Sequence, residues 1–208
     1  MSSGAESAER ADGEAVSSDQ PEPELGQIAK PPKKVKLTGP ADALAFVIAT
    51  GGGAGMIPFA PGTFGSLVGL AVFYALFAQL RAMPHLLQSG LLAASVILSA
   101  AGIWAGARAE RIFSRKDAGQ IVIDEVAGQL ISFSLVAPYL VAAASRPSLM
   151  MVIGFLLFRA FDIFKPYPIR RLEALGGGLG VMADDILAGI YAAILLSFVP
   201  LVAPQLLY

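Results

Sequence analysis

Four stretches of this chain contain no charged residue at all: residues 64–80, 86–107, 126–145 and 186–208. Each is 17 to 23 residues long, close to the roughly 20 residues an α-helix needs to cross a bilayer. An apolar run of that length restricts the fold more than any other feature. In lipid every backbone polar group must be satisfied within the chain, so helices or a closed barrel are the only options. Uninterrupted apolar runs, rather than strict alternation, point to helices. A fifth run, residues 147–158, is too short by itself. It reaches 18 residues only if 159–164 continue the same helix. Composition agrees: 55% of residues are hydrophobic and 15% charged, against about 25% charged in soluble domains. The expected fold class is all-α, a multi-pass helical membrane bundle of four to five membrane helices.

Residues 1–38 are a different material, rich in Ser, Glu, Asp, Pro and Lys and poor in bulky apolar side chains. Such a segment buries too little surface to offset its ordering entropy. A disordered polar tail over 1–38 and a helical membrane domain over 39–208 are expected. No apolar stretch follows a basic start, so no secretory signal is read here. Lys30, Lys33, Lys34 and Lys36 are candidates for contact with anionic lipid, although a plain solvated tail is the preferred reading. Residues 42–62 are apolar but broken by Gly51, Gly52, Gly53, Gly55, Pro58 and Pro61. They predict a short helix followed by a re-entrant or interfacial turn.

Charge sets the topology. The basic segments are the tail, residues 108–116 and residues 165–171, whereas Arg81 and Arg146 stand alone in the other connectors. If 147–164 crosses, all three basic segments fall on one side, the cytoplasmic one by the positive-inside rule. Five crossings result, with the N-terminus inside and the C-terminus outside. This topology has a consequence for the polar residues. It gathers residues 60–66, Asp124 and Glu125, Arg159 and Asp162, and Asp184 and Asp185 at one depth on the cytoplasmic face.

Five carboxylates inside an apolar protein are costly unless paired or ligating a cation. An oxygen-only set of Asp124, Glu125, Asp162, Asp184 and Asp185 suits Mg²⁺, which takes one or two carboxylates together with substrate phosphate and water. Arg159, Lys165, Arg170 and Arg171 are candidates to bind phosphate oxygens and offset charge in a transition state. Thr63, Ser66, Gly177 and Gly178 are further candidates for phosphate contact. Each has a plainer reading. The adjacent acid pairs and Thr63 or Ser66 can cap helix N-termini, and Arg159 with Asp162 can be a simple salt bridge. Asp162 fits the capping reading badly, because it lies at the C-terminal end of its run, where a negative charge needs a cation.

Absences narrow the chemistry. The chain has no cysteine, which excludes disulfides, thiolate metal sites and cysteine nucleophiles. Its single histidine, His85, lies in a connector, and the net charge of −1 implies no nucleic-acid partner. Neither a Walker loop nor a dinucleotide fingerprint occurs. Metal-assisted phosphoryl transfer to water, or an aspartyl-phosphate route through Asp124, Asp162 or Asp184, survives. An ion or metal transporter is the main rival, since membrane carboxylates also line permeation paths. Here the acids sit at the ends of runs and no internal repeat is seen. A phosphatidyltransferase would need a multi-aspartate motif that is missing, and a non-catalytic scaffold leaves Asp162 unexplained.

The blocks APGTFGSL (60–67), QIVIDEVAGQLI (120–131), FRAFDIFKPYPIRRLE (158–173) and GGLGVMADDILAGI (177–190) resemble those of the bacterial phosphatidylglycerophosphatase A family. Order and spacing match over residues 42–200. The resemblance implies an all-α, Mg²⁺-dependent phosphatase of the inner membrane that converts phosphatidylglycerophosphate to phosphatidylglycerol and phosphate. By matching position, it implies Asp124, Glu125, Asp162, Asp184 and Asp185 as the metal and catalytic set. Tyr167 stands where that family often has Trp, and Ala183 where it has a larger apolar residue.

Overall fold

The computed structural model describes residues 37–142, 147–172 and 175–203. The tail expected over 1–38 lies outside these residues apart from its last two positions, as does the end of the run expected to reach 208. The described residues are helical throughout, joined by turns, with no strand.

The first helix, Pro40–Ala49 (α1), starts with Pro at its first position, where the missing N–H costs nothing. It ends at Thr50, whose Oγ1 donates to the Phe46 carbonyl at 2.8 Å. Gly51, Gly52 and Gly53 then follow with φ of 57°, 71° and 100°, the left-handed backbone that only glycine adopts freely. A single 3₁₀ turn at Ala54–Met56 completes the reversal. The short helix and turn read from the glycines are present.

Pro61–Leu80 (α2), Pro84–Phe113 (α3), Pro147–Phe164 (α6) and Gly177–Val202 (α8) are each long and apolar enough to cross a membrane. The 147–164 run is one helix of 18 residues, as the topology required. At 30 residues and 1.5 Å per residue, α3 is about 45 Å long, longer than the hydrocarbon core. Its last turns carry Arg108, Glu110 and Arg111.

The run 126–145 departs from expectation. It is not one helix but two, Ile123–Ser134 (α4) and Ala137–Ala142 (α5), parted at Leu135 and Val136. Pro138 has no N–H to return to the Ser134 carbonyl, and Val136 N–H bonds to Phe133, three residues back, at 3.2 Å. The break is tolerable because α4 lies in the middle of the bundle, against α2, α3, α6 and α8. Ten of its twelve residues are buried. A second departure concerns α8, which begins at Gly177 and not at 186. Gly176 is extended and Gly177 left-handed at φ 66°, so the helix starts on the glycines. Asp184 and Asp185 therefore lie two turns inside it and cap nothing. A short helix, Ile169–Leu172 (α7), connects α6 to α8.

Two of the helices, α4 and α8, approach closely where a pair of glycines face each other. A Cβ on Gly189 of α8 would lie 2.4 Å from the Gly128 carbonyl oxygen of α4. Within lipid, such close backbone approach is a main source of helix association. Deeper in the bundle, Phe73 and Phe133 stack with centroids 4.1 Å apart, next to Leu87, Leu91, Leu130, Met150 and Leu196.

Candidate active site at the helix ends

The first turn of α2, the connector before α4, the first turn of α4, the last turn of α6 and the second turn of α8 meet in one cleft of about 340 Å³. Asp124, Glu125, Arg159, Asp162, Lys165, Asp184 and Asp185 all line it, together with Thr63. Residues more than a hundred positions apart are thus brought together at one end of the bundle.

Within the cleft the five acids named from the sequence divide into two sets. Asp124, Glu125 and Asp185 each offer a carboxylate oxygen, and these three oxygens lie within 4.8 Å of one another. Asp124 and Asp185 are 8% and 3% exposed. Three like charges this close in a buried place repel strongly and require a cation or protons. Glu125 Oε2 and Asp185 Oδ2 are buried and accept no hydrogen bond among the described residues. Gly62 leaves the space: a Cβ there would stand 2.2 Å from Glu125 Oε1 and 3.4 Å from an Arg159 nitrogen. Three converging carboxylates, two of them with an unpaired buried oxygen, fit a hard divalent cation.

The remaining two acids are paired with cations. Asp162 Oδ2 lies 2.5 Å from Arg159, one turn earlier on α6, which resolves the unfavourable carboxylate at a helix C-terminus. The same Arg159 nitrogen donates to Ser66 Oγ at 3.3 Å, and Ser66 Oγ donates to the Gly62 carbonyl at 3.0 Å. Lys165 follows α6 directly with φ 43°, a turn that sends its ammonium to Asp184 Oδ2 at 2.7 Å. Asp184 Oδ1 is buried and accepts no hydrogen bond in the described protein.

Of the other sequence candidates, Thr63 alone lines the cleft. Thr63 and Ser66 are inside α2 and not at its cap, which is Ala60 with φ 47°. Ser66 is fully buried and reaches the site only through Arg159. Arg170 and Arg171 are on α7 and do not line the cleft; Arg171 stacks 4.9 Å over the Tyr167 ring and donates to its hydroxyl at 3.2 Å. Gly177 and Gly178 also lie off the cleft. A Cβ on Gly178 would be 1.9 Å from the Ile103 carbonyl oxygen, so this glycine serves helix packing and not phosphate approach. Sequence reasoning overlooked Asp117 and Gly119 and gave Gly62 and Ile121 no role of their own; all four line the cleft. The only signal for Asp117 and Gly119 was their place just ahead of the Asp124–Glu125 pair.

Fold and site together define a multi-pass helical membrane protein with a carboxylate and cation centre at the ends of its helices. The family model described as phosphatidylglycerophosphatase A matches residues 47–200. A Haemophilus influenzae phosphatidylglycerophosphatase A is 37% identical over 168 residues, 79% of this chain and 91% of that protein. Its Escherichia coli K12 counterpart of the same name is 30% identical over 178 residues, 85% and 92% of the two chains. A Bacteroides thetaiotaomicron protein with the provisional name phosphatidylinositol-3-phosphatase is 38% identical over 154 residues, 74% and 92% of the two chains. No solved structure matches the chain. The chain belongs to the phosphatidylglycerophosphatase A family. It is accordingly an enzyme, a phosphoric monoester hydrolase.

Proposed function

We propose that this protein is a Mg²⁺-dependent phosphatase that hydrolyses phosphatidylglycerophosphate to phosphatidylglycerol and phosphate, with its cleft on the cytoplasmic face of a bacterial inner membrane. The observation that carries the reading is the carboxylate trio with unsatisfied oxygens beside two cationic side chains. The family and the names of two relatives supply the lipid. The basic residues in 108–116 and 165–171 support the cytoplasmic side.

Hydrolysis adds water across the phosphate ester. The water oxygen bonds to phosphorus, the ester oxygen leaves with the bonding pair, and a proton passes from the water to that oxygen. Asp124, Glu125 and Asp185 would hold the metal ion, which when bound supplies charge against phosphoryl oxygens and eases deprotonation of water. Arg159 and Lys165 place positive charge in the same cleft, where fixed cations stabilise charge developing on the transferred group. Asp162 fixes the Arg159 guanidinium. Asp184 orients Lys165 through Oδ2 and keeps Oδ1 as an acceptor for the proton of the attacking water. Two carboxylates thus orient cations, one of them with a proton-accepting oxygen to spare, and three bind metal.

Depth also supports the assignment. A lipid phosphate lies at the membrane–water interface, and the cleft lies at the ends of membrane-length helices. The test is phosphate release from phosphatidylglycerophosphate in detergent micelles, set beside phosphatidylinositol 3-phosphate under the same conditions. Release from the first lipid at the higher kcat/KM is expected. A reversed preference would move the assignment to the inositol lipid, and release from neither would remove it.

A further inference from the structure

Asp117 is an acid that the division of labour above leaves without work. It lines the cleft and stands on the connector between α3 and α4. Its backbone is left-handed, φ 44°, a conformation that non-glycine residues adopt rarely and Asp more readily than most. The turn is held from both sides. The Asp117 N–H donates to Glu110 Oε1 of α3 at 2.9 Å, and the next residue, Ala118, is 1% exposed. The Asp117 side chain is exposed, and no ion pair or hydrogen bond to its carboxylate occurs among the described residues. A carboxylate fixed at the mouth of a phosphate cleft repels the phosphate. It gains only if the bound molecule also brings a hydrogen-bond donor.

We propose that Asp117 is a specificity residue that accepts a hydrogen bond from a hydroxyl of the substrate's headgroup. It would thereby favour lipid phosphomonoesters bearing a free headgroup hydroxyl over phosphatidic acid, which bears none. The inference rests on the reading of the cleft as a lipid phosphatase site. It deepens that reading by assigning the non-phosphate part of the headgroup to the 114–121 connector. Asp117 lies outside the trio of carboxylates with mutually close oxygens, so its role differs from theirs. Sites that hydrogen-bond a substrate hydroxyl discriminate against analogues lacking it. At an exposed rim the effect is smaller than in a sealed pocket.

The test uses the full chain in detergent with two lipids, phosphatidylglycerophosphate and phosphatidic acid. Two variants are needed. Asp117→Gly deletes the carboxylate without backbone strain, because glycine accepts positive φ. Asp117→Asn keeps both an acceptor oxygen and tolerance of this backbone. Asp117→Gly should lower kcat/KM for phosphatidylglycerophosphate about five- to tenfold, through KM, the size of one exposed hydrogen bond. The kcat/KM for phosphatidic acid should stay level or rise, since that lipid loses only a repulsion, and Asp117→Asn should keep most of the wild-type preference. If wild type turns over no phosphatidic acid, its inhibition constant as a competitor supplies the same comparison. Equal losses on both lipids, or none on either, overturn the proposal. So does a loss on both that excess Mg²⁺ repairs, which would make Asp117 a metal-binding group. Wild type inactive on both lipids would sink the phosphatase reading itself, an outcome distinct from an active wild type without the differential.

Discussion

The contact between Gly128 and Gly189 joins α4 to α8 one helical turn from both acid pairs, and it yields a sharp test of the architecture. In Gly189→Ala the new Cβ would meet the Gly128 carbonyl oxygen at 2.4 Å and its Cα at 3.1 Å, where ordinary contact begins at 3.4 Å. Both are backbone atoms, so no side chain can turn aside. The two helices must part by about 1 Å or bend. Overpacking of this kind costs about 1–3 kcal/mol, and the better helix propensity of alanine returns about 1 kcal/mol. The net effect on stability is modest, a loss of about 1 kcal/mol. Its effect on rate is larger. Parting α4 from α8 separates Asp124 and Glu125 from Asp185, and a 1 Å misplacement of reacting groups can cost about a hundredfold. The assay is phosphate release at saturating lipid, with thermal unfolding followed in the same detergent. Gly90→Ala is the control, because its Cβ would meet only Leu80 Cδ1 at 3.6 Å; it should keep full activity and equal or exceed wild-type stability. Wild-type rate and midpoint in Gly189→Ala would refute the packing geometry and its coupling to the site.

Other outcomes follow from the ion pairs. Lys165→Met strands Asp184, which is 6% exposed, and should lower both stability and activity. Adding Asp184→Asn should recover part of the stability and none of the activity; thermal unfolding of the two single variants and the double variant gives a coupling of about 0.5–3 kcal/mol. Ser66→Ala removes a buried acceptor of Arg159 and should slow phosphate release by up to about tenfold, the worth of one hydrogen bond, with the fold intact by circular dichroism. In the first turn of α1, Asp42 accepts hydrogen bonds from Thr38 and pairs with Arg108 at 3.2 Å. The Thr38 hydrogen bonds, aided by Arg108, hold its carboxyl below the usual range. A depressed folded pKa contributes stability above the unfolded value, about 3.9, and this is lost as pH falls through the folded one. Amide exchange in α1 should therefore quicken below about pH 4 in wild type, and Asp42→Asn should show no such acid-dependent step.

How far the sequence carried these conclusions depends on the kind of information each needed. The membrane helices were readable because length and lack of charge are local properties. The gathering of Asp124, Glu125, Arg159, Asp162, Asp184 and Asp185 was readable because topology fixes which helix ends share a side. The break at Pro138 was present in the sequence, yet hydropathy weighs side chains and ignores a missing backbone donor. The glycines at 176–178 looked like a ligand-binding turn, since a glycine run reads the same in a turn and in a tight helix contact. Only the Ile103 carbonyl against Gly178 decides between them. Charge alone marks Arg170 and Arg171 as candidates, and charge does not say which way a four-residue helix points. Asp117 and Gly62 enter the cleft through contacts between distant segments, which no local pattern encodes.

The central claim is that the carboxylates of α4 and α8 jointly bind a divalent cation on which lipid dephosphorylation depends. Phosphate release from phosphatidylglycerophosphate, measured while Mg²⁺ is titrated from an EDTA-treated state in wild type and in Asp185→Asn, tests it most directly. The expected result is a saturable dependence on Mg²⁺ in wild type, shifted to higher concentration or abolished in Asp185→Asn while thermal unfolding stays near wild type. Equal release by both proteins in EDTA would contradict the account.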